Sequence, residues 1–240
     1  MSSALTFGVA LVAGIISAVT GFGIGSLLTP VLALQVDTRL AVAAVSIPHL
    51  AGTALRFWLL TGRVNRKVLW NFGITSALGG LTGALLLEST SNRWLTVLFG
   101  ALLLFAAASE WTGLTRRMRF HGAWAWIAGA GSGVLGGLVG NQGGLRSAAL
   151  LGFNLSRDSL VATATAVALF VDGARMPIYL VSRRQEIATL WPWIAIATIG
   201  VTTGTIVGSR ALTMIPESWF RRVLAVILAA FGATMIVRAL

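Results

Sequence analysis

Gly140-Asn141-Gln142-Gly143-Gly144-Leu145-Arg146 falls near the middle of an apolar stretch running from about 122 to 153. A helix of that length, at about 1.5 Å per residue, overshoots the roughly 30 Å hydrocarbon core of a bilayer unless strongly tilted. The glycines supply a place to break it. A second cluster, Gly21-Phe22-Gly23-Ile24-Gly25, interrupts another over-long stretch at about 4–35. The economical reading of both is a broken or re-entrant helix, with two half-helices meeting inside the membrane. Such breaks are tolerated only where the freed backbone faces protein or a water-filled cavity. Paired interruptions at corresponding places in two halves of a chain point to a transporter's binding site.

The rest of the chain reads as an all-α integral membrane protein. Of its 240 residues, 56% are hydrophobic and 10% charged, whereas a soluble domain carries about a quarter charged. The apolar runs are continuous, not the short alternating segments of a β-barrel. Further stretches at 40–61, 68–87, 94–111, 159–181, 187–209 and 219–237 bring the expected number of long transmembrane segments to about eight. A net charge of +11 would suggest nucleic acid in a soluble protein. Here the basic residues sit mainly in short loops: Arg63, Arg66 and Lys67; Arg116, Arg117 and Arg119; Arg183 and Arg184; Arg221 and Arg222. Loop arginines of this kind belong beside a membrane, so the expected partner is the lipid bilayer and not nucleic acid. The absence of cysteine excludes disulfides, thiolate metal sites and a cysteine nucleophile. The N-terminal apolar stretch has no basic region before it and reads as a retained membrane segment.

The halves align with each other. At an offset of 119 residues, Gly14, Gly21, Gly25, Val42, Ala43, Leu50 and Arg56 match Gly133, Gly140, Gly144, Val161, Ala162, Leu169 and Arg175. Gly79 and Gly83 match Gly200 and Gly204 at an offset of 121, a small-xxx-small spacing that lets helices approach closely. The expected organisation is a first four-segment repeat at 1–111, a linker at 112–121 and a second repeat at 122–240, each opening on its broken segment. Four passes per half would make the copies parallel. Counting each broken segment as a two-element hairpin would make them inverted.

The polar residues select a chemistry. Ser46, His49, Thr53 and Arg56 fall on one face of an otherwise apolar helix, and the second repeat has Thr165, Ala168, Asp172 and Arg175 there. Polar and ionisable groups within the membrane are costly and mark function. Asp172 and Arg175, three apart, can pair on one helix face. Arg146 follows the Gly140, Gly143 and Gly144 break, where a half-helix N-terminus favours anions and a guanidinium adds a forked donor. Asn141 and Gln142 supply further donors. The backbone at Gly21, Gly23 and Gly25 forms the other half of the candidate binding region. Several also have a packing alternative: snorkelling for Arg56 and Arg175, structural hydrogen bonds for His49, Ser46 and Thr165, and for Arg146 a pairing with Asp172 that only holds helices together. The six other acidic residues lie at or near segment ends, leaving Asp172 as the deep carboxylate. Cation sites need several oxygen ligands, so no metal is expected and the cargo is read as a small anion.

The stretch Gly21-Phe-Gly-Ile-Gly-Ser-Leu-Leu-Thr-Pro30, followed by Leu40-Ala-Val-Ala-Ala-Val-Ser46, resembles the first repeat of the sulfite exporter TauE/SafE family, also called toluenesulfonate-uptake-type permeases. Gly140 to Ala149 resembles the family's second glycine motif, and the likeness covers essentially the whole chain. It implies a multi-pass carrier of a bacterial inner membrane with duplicated halves, moving sulfite, organosulfonates or related anions. Asn141, Gln142 and Arg146 depart from the usual second motif, as does Ala149 where proline is common. Together with Val171-Asp-Gly-Ala-Arg175, they mark a distinct branch. The expected function is secondary transport by alternating access, with a coupling proton on His49 or Asp172, or a coupling cation. An anion channel and a non-transport membrane subunit are the alternatives. No Ser/His/Asp set, HExxH or phosphate loop is present in the sequence, so no catalytic residues and no cofactor are expected. The sequence leaves homo-oligomerisation open.

Overall fold

A computed structural model describes residues 2–20, 23–114, 118, 120, 122–140, 143–211 and 217–240. Among the described residues the regular structure is helical throughout: α1 (Ser3–Thr20), α2 (Ile24–Ala33), α3 (Thr38–Leu60), α4 (Arg66–Ser89), α5 (Asn92–Thr112), α6 (Ala123–Val139), α7 (Gly143–Leu151), α8 (Arg157–Ser182), α9 (Arg184–Thr189), α10 (Trp191–Ala211) and α11 (Glu217–Ala239). Six of these, α3, α4, α5, α8, α10 and α11, are long and apolar enough to cross a bilayer. The stretches at 4–35 and 122–153 are instead each divided into two helices, α1 with α2 and α6 with α7. Large apolar side chains such as Leu78, Leu85, Ile199 and Val226 are exposed, as a lipid-facing surface requires. Trp58, Trp70, Trp94, Trp111, Trp124 and Trp191, all near helix ends, are exposed as well, where indole rings favour the membrane interface.

Helix-end contacts fix the directions. Arg183, just past α8, lies 3.8 Å from Asp37 before α3 and 2.8 Å from Glu88 at the end of α4. On the opposite face, Arg63 after α3 meets Asp158 in the first turn of α8 at 3.0 Å. There Arg221 of α11 also meets Glu110 of α5 at 3.0 Å. Thus α3 runs antiparallel to α8, and α5 antiparallel to α11. Glycine contacts orient the broken segments. The positions for a Cβ on Gly200, Gly204 and Gly208 fall against Phe7, Leu11 and Ile15 in turn, so α1 runs parallel to α10, away from the Asp37 face. α2 returns to that face, where Arg238 donates to the Leu34 carbonyl at 3.1 Å. In the same manner α6 runs parallel to α4, away from the Arg63 face, with Gly129, Gly133 and Gly137 against Phe72, Ser76 and Gly80. α7 then returns towards Phe120, whose carbonyl abuts Gly152. Two helical hairpins therefore enter from opposite faces, and the two halves run in opposite directions.

The halves interlock. α1 packs on α10 and α6 on α4, while α3 touches both α8 and α10. Gly14 meets the Val201 carbonyl and Thr205 nitrogen as Gly133 meets the Ser76 carbonyl and Gly80 nitrogen. Gly79 and Gly83 lie against Ala130 and Val134, as Gly204 and Gly208 lie against Leu11 and Ile15. The spatial counterparts of Gly79 and Gly83 are therefore Gly204 and Gly208, one turn beyond the match made on sequence. Glycines repeating every four residues fit either register in a sequence, and only the helix against which they pack distinguishes them.

Candidate functional site

Breaking a helix inside an apolar medium exposes backbone groups that each cost several kcal/mol if left unsatisfied. The first break shows how this chain meets that demand. Arg56, 4% exposed on α3, donates through Nη1 to the Ser17 carbonyl and, at 2.9 Å, to the Ser17 hydroxyl. Ser17 begins the last turn of α1. A guanidinium there satisfies an orphan carbonyl and opposes the negative end of the helix dipole. The second break uses the same device. Arg175, 1% exposed on α8, donates through Nη1 to the Gly136 carbonyl at 2.5 Å, and Gly136 begins the last turn of α6. In both cases the acceptor lies 39 residues before the arginine. Tyr179, buried one turn beyond Arg175, donates its hydroxyl to the next carbonyl, that of Gly137. Both arginines are thus buried at helix C-termini and do not snorkel to the interface.

The starts of the returning helices are furnished differently. Gly23 caps α2 with φ 136°, a conformation that L side chains rarely adopt, and no side chain caps that end. Gly140 ends α6 with φ 70°. The hairpin tips touch: a Cβ on Gly25 would lie 2.2 Å from the Gly140 carbonyl oxygen and 3.8 Å from His49 Cδ2. Thr29 of α2 is fully buried, with its hydroxyl unpartnered among the described residues, and would lie 3.7 Å from a Cβ on Gly140. Gly143 opens α7, and Gly144 is its second residue. Arg146, the fourth residue of α7, is 2% exposed. It lies within electrostatic reach of Asp172, Arg175, His49 and Arg56.

Between the tips, α3 and α8 exchange one polar contact. His49 Nδ1 lies 2.7 Å from Asp172 Oδ2, and Thr53 Oγ1 lies 3.4 Å from the same imidazole nitrogen. The other carboxylate oxygen of Asp172 accepts from Arg175 Nε at 3.0 Å and Nη2 at 2.8 Å. Asp172 is thereby divided between a fixed cation and a titratable ring. Arg56, Arg146 and Arg175 against Asp172 leave the buried set with a net charge of +2 when His49 is neutral. A buried set with that balance favours an anion beside it.

Arg56, His49, Arg146, Asp172 and Arg175, all expected at the breaks or along the path between them, lie together in the structure. Ser46 and Thr165 are buried too, but their hydroxyls bond to carbonyls of their own helices, Ala43 at 2.6 Å and Val161 at 2.8 Å. Gly21, Asn141 and Gln142 lie outside the described residues. Tyr179, Ser17 and Thr29 were missed. Tyr179 had a signal, since it is the chain's one tyrosine and stands a helical turn from Arg175.

A fold of six crossing helices with two opposed hairpins, closed around buried positive charge, defines a polytopic membrane protein of transporter type. The chain matches the family described as Sulfite exporter TauE/SafE over residues 6–235, nearly its whole length, and it belongs to that family of membrane transporters. Neither a curated protein nor a solved structure matches it.

Proposed function

We propose that this protein is a secondary carrier of the bacterial inner membrane that moves a small sulfur oxyanion, an organosulfonate or a related carboxylate by alternating access. Its halves are two copies of one unit, inserted in opposite orientations. The observation that carries this reading is the excess of buried guanidinium where the hairpin tips meet. A charged side chain at the centre of a membrane helix costs roughly 2.5–3.5 kcal/mol even on permissive scales. Three buried arginines against one carboxylate are therefore retained for something that offsets them. Arg56 and Arg175 have backbone carbonyls to satisfy. Arg146 stands in the first turn of α7, where the positive end of the helix dipole adds to its charge. It is the residue we assign to the anion, gripping two of its oxygens with the guanidinium fork. The uncapped start of α2 and the Thr29 hydroxyl lie beside Gly140 at the second break.

Opposed hairpins suit alternating access because one rearrangement can open the site to one side while its mirror closes the other. The test is flux in proteoliposomes with radiolabelled sulfite and methanesulfonate. The parent protein should show saturable uptake and counterflow, and Arg146→Ala should lower uptake at least about 100-fold, the order lost with one preorganised charge donor. Folding would be checked by size-exclusion profile and thermal midpoint. Arg146→Ala uptake equal to the parent's would remove the assigned residue. Non-saturating conductance without counterflow would identify a channel.

A further inference from the structure

His49 and Asp172 break the correspondence between the halves. At the offset that pairs Arg56 with Arg175, His49 faces Ala168 and Asp172 faces Thr53. Each member of the dyad thus comes from a different half, and their 2.7 Å contact joins the two. The contact uses Nδ1, so the neutral ring can donate there and keep Nε2 for a second proton. A Cβ on Gly25, at the uncapped start of α2, would lie 3.8 Å from Cδ2, the ring carbon bonded to Nε2, so that edge of the ring faces the touching hairpin tips. The His49 side chain is 12% exposed, against 1% for Asp172, so the ring is the more accessible member of the pair.

The charges facing the ring make a second proton conditional. From α8 come Asp172 and Arg175, from α7 comes Arg146, and along α3 itself stand Thr53 and Arg56. Of the other elements packed on α3, α2 and α6 contain no ionisable side chain, those of α5 and α10 sit at their ends (Arg93 and Glu110, and Arg210), and α9 and the turn after α3 carry Arg184, Glu186 and Arg63 at the two ends of α3. One carboxylate, already held by Arg175, and the guanidiniums of Arg146 and Arg175 act on the ring, while Arg56 acts on Arg146 and Asp172. Without an anion, an imidazolium adds to an excess of like charge. With an anion at the break, that excess falls and the imidazolium gains an opposite charge on its Nε2 side.

We infer that His49 is the site of a co-transported proton, taken up on Nε2 from one side together with the anion and released to the other side with it, while Nδ1 stays bonded to Asp172. The inference rests on the transport reading and deepens it, and the binding of the two ions is reciprocal. Methanesulfonate is the probe because it remains ionised across the working pH range, so any pH dependence belongs to the protein. In parent proteoliposomes carrying a lumenal pH dye, a methanesulfonate gradient should acidify the lumen by one proton per anion. Apparent affinity should rise about tenfold per unit fall in pH while His49 is mostly neutral. In His49→Gln, which keeps an amide donor towards Asp172, any anion flux that remains should be weaker and show neither acidification nor pH dependence. With two histidines in the chain, the imidazole ¹⁵N spectrum of the parent gives an independent reading. Adding methanesulfonate at fixed pH should move the His49 signals, assigned by their loss in His49→Gln, towards imidazolium. Saturable uptake without acidification, acidification surviving in His49→Gln, or an unmoved imidazole on anion binding would each overturn the proton site and leave the carrier standing. No saturable uptake of sulfite or methanesulfonate by the parent would overturn the carrier and the proton site with it.

Discussion

Arg56 in the first half and Arg175 in the second reach the same carbonyl, 39 residues back, and close the same helix end. One turn earlier the halves diverge, for Thr53 stands where the second half has Asp172. Arg175 consequently serves two masters, the Gly136 carbonyl and the Asp172 carboxylate, while Arg56 closes α1 without a carboxylate three residues before it. Leu27 likewise stands at the position of Arg146. What the halves share is the means of breaking a helix in lipid. What they do not share is the ionisable chemistry, which is confined to Arg146 and Asp172 of the second half and His49 of the first. A symmetric frame can exchange two mirrored conformations, and an asymmetric lining lets one bound charge be handled at a single site.

The largest expected effect tests that division. Arg175→Ala removes the cap and deprives a fully buried carboxylate of the guanidinium bonded to its Oδ1, a loss of the kind that costs about 3–5 kcal/mol. Arg56→Ala removes a cap without stranding a carboxylate beside it, and the expected loss is about 1–3 kcal/mol, that of buried carbonyls left unsatisfied. Thermal unfolding in detergent should rank the two in that order. Adding Asp172→Asn to Arg175→Ala should return the second site to the level of the first. If the double variant is no more stable than Arg175→Ala, the carboxylate is not what separates the halves.

The hairpin tips give a smaller contrast. A methyl at Gly25 would lie 2.2 Å from the Gly140 carbonyl oxygen, whereas one at Gly173 meets nothing within 4 Å. Backbone cannot yield as a flexible side chain does, so Gly25→Ala should cost about 1–3 kcal/mol and abolish flux by parting the tips. Gly173→Ala, on exposed helix beside Asp172, should gain up to about 1 kcal/mol from helix propensity and transport normally. Equal flux in the two variants would show that contact between the tips is not needed.

Much of this arrangement was legible in the sequence, and the reasons it stopped short are physical. The breaks could be read because glycine clusters and excess length coincide at 4–35 and 122–153. The buried ionisable residues could be read because so few charges fall within apolar runs. The direction of the halves could not. A broken segment that continues across the membrane and one that turns back have the same length and composition, and the difference lies in contacts such as Arg238 with Leu34. Hydroxyls are equally mute: Ser46 and Thr165 look like site residues by position, yet each bonds to its own helix, an option always open to Ser and Thr. The capping role of Arg56 and Arg175 needed the partner carbonyl, which no side-chain pattern announces.

The smallest effect concerns the two faces. On the Asp37 face, the Arg183 side chain is 9% exposed and binds Glu88 at 2.8 Å and Glu186 at 3.1 Å, with Asp37 at 3.8 Å. Hydrogen bonding to Glu88 is the first cause holding its guanidinium above the ordinary arginine value. On the other face, Arg63 and Asp158 form a pair with side chains 60% and 65% exposed. Both contacts join segments of different halves at an end of the α3–α8 pair, but water screens the second more than the first. Arg63→Ala should therefore change stability by less than about 1 kcal/mol. Arg183→Ala, which releases three carboxylates from one partly buried cation, should cost about 1–3 kcal/mol. If one face must unlatch for each transport cycle, the two substitutions also differ kinetically. Arg183→Ala should speed exchange across the Asp37 face at saturating anion, while Arg63→Ala leaves it unchanged. Equal rates in the two variants would mean that the clamp at Arg183 is architecture and not a gate.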